Sequence, residues 1–241
     1  PAYKFYLDNE AAFAPAETFV KASFPTRDST SGKWLAISLF QRVTSALSAG
    51  KNEAALIDAE LKRLNFAYNN SIQENKDQLY ENALMALHKK YYNHPSDAEI
   101  VLRHAEYLRN RTLPADGPRD NLRQAVSELN DVMQRHPNSF YTTHCKRTIQ
   151  EIEATSIRVG VEETNLPERP VLFQLEYKNL SKVWVKLVPV AGFADWKENV
   201  AWEARIEKLN SIRPVQQKTW TLANPGDYYE HQTELSLSAM P

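Results

Sequence analysis

The sequence predicts an α+β multidomain chain: an α-helical repeat-like domain over residues 1–153, then an incomplete β-sandwich over 154–241. Three observations carry this. Apolar residues recur at three-four spacing up to about residue 152, the rhythm of amphipathic helices. From about residue 155 the period becomes two, the rhythm of half-buried strands. The change of texture falls near 153–156 and places the boundary.

In the helical region the stripes follow in order. Ala36, Leu39, Phe40, Val43, Ala46 and Leu47 form the first, and Ile57, Leu61, Leu64 and Tyr68 the second. Tyr80, Ala83, Leu84, Leu87 and Tyr91 follow, then Val101, Leu102, Ala105 and Leu108. Leu122, Ala125, Val126, Leu129, Val132 and Met133 make the fifth. Tyr141, Cys145, Thr148, Ile149 and Ile152 make the sixth. The punctuation agrees. Gly50 can close the first helix and Asn52 can start the next. Ser96 with Glu99 three residues on reads as a capping box heading a helix over 96–109. Leu113 to Pro118 reads as a loop, with Pro118 in the first turn of the next helix. Asn138 is placed to cap the sixth.

A weak repeat lies inside this region. Leu87 to Pro95, ending in His94-Pro95, parallels Leu129 to Pro137, ending in His136-Pro137, 42 residues later. A proline just past a helix end cannot continue the helix, so the chain turns there. Paired helices at this period are the pattern of an α-solenoid. The region resembles tetratricopeptide-type hairpins, without their usual Trp, Gly and Ala pattern.

In the region that follows, Thr155–Val161, Val171–Tyr177, Val183–Pro189, Val215–Leu222 and Thr233–Ser238 read as strands, with a helix over 194–210. Lys178–Ser181 reads as a short hairpin connection, and Asn224–Asp227 as a turn. Trp184, Trp196, Trp202 and Trp220 are expected to fill the sandwich core. A seven-stranded sandwich takes about 100 residues. With five strands, this domain is expected to be truncated and to expose a sheet edge.

Composition excludes several functions. Of 241 residues, 42% are hydrophobic and 24% charged, enough for a core and too apolar for a disordered tail. Lys plus Arg is 29 against 30 Asp plus Glu, a net charge of -1, without the basic footprint of a nucleic-acid binder. No apolar run is long enough for a membrane span. The opening Pro-Ala-Tyr-Lys-Phe-Tyr has neither initiator Met nor signal core, and reads as the start of a piece cut from a longer protein. The 6 glycines stand singly, which excludes phosphate-cradling loops.

Candidate chemistry is sparse. The lone Cys145 can form no intrachain disulfide or cysteine metal motif, and is expected to be a buried, unreactive thiol. His88, His94, His104, His136, His144 and His231 lack ligand spacing for a metal, and read as surface or hinge residues. Asp58, Glu60, Asp77 and Glu81 read as solvated helix faces. No nucleophile elbow is present. Three glycan-acceptor triplets, at Asn69, Asn110 and Asn179, are what chance supplies at this length. No catalytic, cofactor-binding, metal or thioester residue is assigned, so the expected function is non-enzymatic.

Two stretches carry a resemblance. They are Arg169 to Val190, with Tyr177-Lys-Asn179 leading into Lys182-Val-Trp-Val-Lys186, and Trp220 to Leu237, with Pro225-Gly-Asp-Tyr228 and His231-Gln-Thr-Glu234. Both resemble the first macroglobulin-type β-domain of bacterial (Bacteroidetes-type) alpha-2-macroglobulin-like proteins, and the helical region is similar to the segment preceding it. The resemblance implies a structural and interaction portion of a large envelope protein associated with protease inhibition or trapping. Its partners would be other domains of the same polypeptide, with proteases or envelope proteins beyond, and its location the periplasm or cell envelope. The family's thioester motif is Cys-x-Glu-Gln, whereas Cys145 is followed by Lys-Arg-Thr. The alternative is a helical-repeat adaptor holding a peptide or protein partner in its groove. Exposed aromatic and Asn residues on the concave helix faces would favour that alternative. An apolar helix–sheet junction would favour the scaffold.

Overall fold

The computed structural model describes residues 4–111, 119–162, 168–189 and 202–239. Over these the chain is α+β, with eight α-helices and two small antiparallel sheets. It divides into two compact units, Pro1–Ile152 and Glu153–Pro241. The loop read at 113–118, Trp196 and the helix start at 194–201 lie outside the described residues.

The first unit holds α1 (Ala16–Phe19), α2 (Gly32–Ser48), α3 (Glu53–Asn70), α4 (Lys76–Tyr91), α5 (Asp97–Asn110), α6 (Asn121–Arg135) and α7 (Thr142–Glu153). Consecutive helices from α2 to α6 pack on each other, and α3 also meets α5. On the far flank of α5, Arg109 bridges to Glu151 of α7 at 2.7 Å.

Local chemistry sets some boundaries as expected and moves others. The Asn52 side chain accepts from Ala55 N at 3.0 Å and caps α3. α2 ends at Ser48, and Gly50 lies just past it with its N–H on Leu47 O. The capping box at Ser96 does not form. Ser96 is already in right-handed helical conformation and its side chain makes no cap bond. Its N–H donates to His94 Nδ1 at 3.1 Å, and the Asp97 N–H to His94 O at 2.8 Å. α7 starts at Thr142, four residues past Asn138, because a Ser139-centred turn precedes it, with Thr142 N on Ser139 O at 3.1 Å.

The approach to α2 has no periodicity, yet it is core. Phe5, Leu7, Phe13, Phe19 and Phe24 are buried. Arg63 of α3 binds this segment, donating to the carbonyls of Ala12 and Ala14. Its charge is met by Glu60 at 2.8 Å, with the Phe19 ring 4.3 Å from the guanidinium. Glu60 is thus fully buried, not part of a solvated face.

A second buried ion cluster ties α4, α5 and α6. Asp97, at the head of α5, is fully buried. One carboxylate oxygen meets His88 Nδ1 of α4 at 2.8 Å, and the other meets Arg135 Nη2 of α6 at 2.9 Å. The two His-Pro turns lie against each other around it. Arg135 donates to Tyr92 O and stacks 3.8 Å over the Tyr92 ring. His136 Nε2 lies 3.0 Å from the same carbonyl, and Ser139 Oγ donates to Pro95 O at 2.9 Å.

The second unit has β1 (Ser156–Val161), β2 (Val171–Lys178), β3 (Lys182–Leu187), α8 (Trp202–Ser211), β4 (Gln216–Thr221) and β5 (His231–Leu237). Its sheets are β1-β2-β5 and β3-β4. The connection after β2 is not a hairpin, since β2 pairs with β1 and β5 while β3 pairs with β4. Asn179 takes φ 55, and Leu180 then packs into the shared core, so the chain crosses from one sheet to the other. That core is Leu175, Tyr177, Val183 and Leu222, with Trp220 against it. Trp184 points away and is 51% exposed, because Val183 takes the inward position and strand neighbours alternate. The Trp202 side chain lies outside the described residues. β1 is exposed throughout. Its Ile157, Val159 and Val161 lie opposite Tyr177, Leu175 and Phe173 on the inner face, but the core beneath β3 and β4 does not reach them.

The Asp97 cluster makes one stability prediction. Hydrogen bonding to Asp97 raises the His88 pKa above its ordinary 6.5, against an opposing effect of burial. A raised folded-state pKa means the protonated form contributes stability below the ordinary value, lost as pH rises through the folded value. Thermal melts of the wild type should show that loss, and His88→Gln should flatten it. Asp97→Ala should cost about 3 kcal/mol, the lower end for a broken buried pair, since Arg135 keeps Asp131 at 2.8 Å.

Candidate functional site

A cleft of about 430 Å³ lies between α3 and α5 of the first unit. Two rows of polar side chains line it. α3 presents Asp58, Lys62, Asn65 and Asn69, and α5 presents Glu99, Arg103, Glu106 and Asn110. Both rows run i, i+4, i+7, i+11, so each keeps to one helix face. Every member of the α5 row stands 41 residues after its α3 counterpart. The order in each is acid, base, polar, Asn.

The floor is aromatic. Tyr68 and Tyr80 stack at 4.6 Å, and Tyr107 stands edge-on to them at 5.9 and 5.4 Å. Tyr107 OH donates to Asp77 O at 3.2 Å. Burial pushes the Tyr80 and Tyr107 phenols up to about 12, so both stay neutral donors. Leu61 completes the apolar floor.

Charge in the cleft is mostly paired along each helix. Lys62 meets Asp58 at 2.8 Å and Arg103 meets Glu106 at 2.9 Å. Glu99 is different. It is buried, and burial raises its pKa, with the Asp58 charge adding to the rise. The Tyr141 hydroxyl bonds to it and opposes the rise. Burial and Glu99 together push the Tyr141 phenol up to about 12. Beside Tyr141, at the head of α7, Phe140 is 81% exposed.

The histidines take structural positions. His94 accepts from Ser96 N, and His136 faces Tyr92 O, both in turns. His104 is buried, not at the surface, and meets Glu128 of α6 at 2.7 Å. His88 pairs with Asp97, nine residues on, a partner outside helical spacing. His144 lies in a ring cluster with Phe140 and Tyr141. His231 meets Asp227 at 2.9 Å. Glu81 is bridged by Arg111 at 3.1 Å. Among the described residues no three His, Cys, Asp or Glu side chains are grouped to hold a metal ion.

Neither polar row stands out in the sequence, apart from Asp58. The signal is present as the 41-residue correspondence, but polar residues at helical spacing look the same whether they face solvent or a cleft. Comparison with family models, curated proteins and solved structures finds no match for this chain.

Cys145 sits in α7, fully buried, with Sγ 3.9 Å from Ala98 O of α5. Burial pushes its thiol up to about 11, where the reactive thiolate is scarce. Native protein should therefore react with a thiol reagent only slowly at neutral pH. Denaturation should bring labelling to the free-thiol rate, and fast labelling of the native protein would contradict this placement.

Proposed function

We propose that the helical unit is a non-enzymatic, repeat-like binding module that holds an extended peptide segment of a protein partner in the cleft between α3 and α5. The pair of matched polar rows carries this reading. One helical step of four residues advances about 6 Å, close to the roughly 6.6 Å between alternate residues of an extended strand. Side chains spaced in this way can meet successive backbone groups of such a strand. Asn suits the task because its amide both donates and accepts. Tyr68, half-buried and held rigid by its stack on Tyr80, offers an aromatic contact face at low entropic cost. Exposed Asn65, Asn69 and Asn110 on these faces favour an adaptor, with the half-buried Tyr68 between them.

A second reading has its own observation. The stretches that resemble a macroglobulin-type β-domain meet in the second unit. Tyr177 OH donates to Ala223 O at 2.9 Å, the His231 ring lies 5.9 Å from the Tyr177 ring, and His231 pairs with the buried Asp227. Gly226 takes φ 69 to form the turn between them. Motif residues far apart in sequence thus share one small cluster. This supports a structural portion of an alpha-2-macroglobulin-like envelope protein, with the cleft as one of its interaction surfaces. Envelope location and proteases as partners rest on that resemblance alone.

The test is selection of random displayed peptides on the full chain. Recovered peptides should lose about three- to tenfold in affinity with each of Asn65→Ala and Asn110→Ala, as expected for a lost hydrogen bond. They should lose more with Tyr68→Ala, while melting temperatures stay near wild type. Failure to recover any binder, or binders indifferent to all three substitutions, would overturn the cleft as the site.

A further inference from the structure

α2, the first long helix, is apolar on two sides. One side faces the core, with Ile37 and Thr44 buried and Phe40 packed against Phe66 of α3 at 5.6 Å. On another, Leu35, Leu39 and Val43 remain 50%, 58% and 37% exposed. Ala46 continues the row, so the spacing is i, i+4, i+8, i+11, one continuous stripe over three turns. Val20, just past α1, joins Leu39, Val43 and Ala46 in an open trough bordered by Arg42. A terminal helix of a stack needs a polar outer face to stay soluble, and this stripe does not supply one.

The charge beside the stripe is cationic: Arg42 borders the trough, Lys21 follows Val20, and α2 carries no Asp or Glu. We propose that this stripe is a docking seam for an acidic amphipathic helix of a partner protein, bound with its apolar face on the seam and its carboxylates beside Arg42 and Lys21. Two arguments select this occupant over a second copy. From Leu35 to Ala46 the seam is about 17 Å long. With a helix width of about 10 Å it offers on the order of 170 Å², against about 800 Å² per partner in a standard stable interface. A symmetric pairing would also set the cations of one copy beside those of the other. A single helix of three or four turns fits the length, and flanking Glu or Asp matches the sign. The seam belongs to α2 and is separate from the α3–α5 cleft, so the two surfaces can be occupied independently.

A displayed library tests this on the full chain. Its members are four-turn helices with a fixed Leu seam and flanking positions drawn from Glu, Gln and Lys. Selection should enrich Glu. The leading sequence, made as a fluorescein-labelled peptide, should lose at least about tenfold in affinity to Leu39→Asp and weaken as salt rises. Val43→Ser serves as a second variant should Leu39→Asp lower the melting temperature. Enrichment of Lys or Gln, no enrichment, or binding unchanged by both variants would overturn the proposal. So would concentration-dependent dimerisation that Leu39→Asp abolishes, which would assign the stripe to a second copy.

Discussion

The carboxylate of Asp97 is closed off from solvent, and three helices converge on it. A buried acid left unpaired would be prohibitive, so α4 must bring His88 and α6 must bring Arg135 for α5 to start where it does. That start sets the rotation and height of α5. These in turn determine that Glu99, Arg103, Glu106 and Asn110 face α3. The buried apolar face of α5 and this charge cluster together fix the orientation on which the cleft depends. Arg63 and Glu60 do the same for the preceding layer, holding the aperiodic entry segment to α3. Replacing such clusters by apolar groups often preserves or raises stability. What the charges add here is a defined register between neighbouring helices.

Much of this was legible in the sequence, for physical reasons that vary by element. Five of the six helical stripes could be read because burial on one side imposes a period that a single chain displays; in α2 the stripe read through Leu39, Val43 and Ala46 faces outward, and Ile37 and Thr44 are the buried positions. β2 could be read for the same reason with a period of two, whereas β1 alternates in sequence although it is exposed throughout. Local caps divided: Asn52 acts through its own neighbours and was readable, whereas Ser96 and Asn138 lost to turn geometry set by His94 and Ser139. Non-local matters were not readable. Lys178 to Ser181 has the composition of a hairpin, and only the pairing partners of β2 and β3 show that it crosses between sheets. His88 with Asp97 belongs to the same class; Glu60 and Arg63 are neighbours on one helix, and what the sequence hides is the entry segment, bound through Ala12 and Ala14, that buries them. The entry segment over 4–24 folds onto α3 without any period of its own.

The two units pose different functional questions. The β unit carries the motif resemblance and a compact cluster around Tyr177, Asp227 and His231. It also carries an apolar inner face at β1 left open by the opposing sheet. The helical unit carries the cleft and, on another helix, the α2 stripe. The two proposed surfaces lie on different helices, so each can be tested by itself.

The central claim is that the matched rows of α3 and α5 act together on one ligand. The most direct measurement is amide chemical-shift mapping of the full chain with a peptide recovered on it. The account predicts shifts at both rows, around Asn65 and Asn69 on α3 and around Arg103 and Asn110 on α5, saturating with a single dissociation constant. Shifts confined to one helix, to the β unit or to the α2 stripe would contradict it.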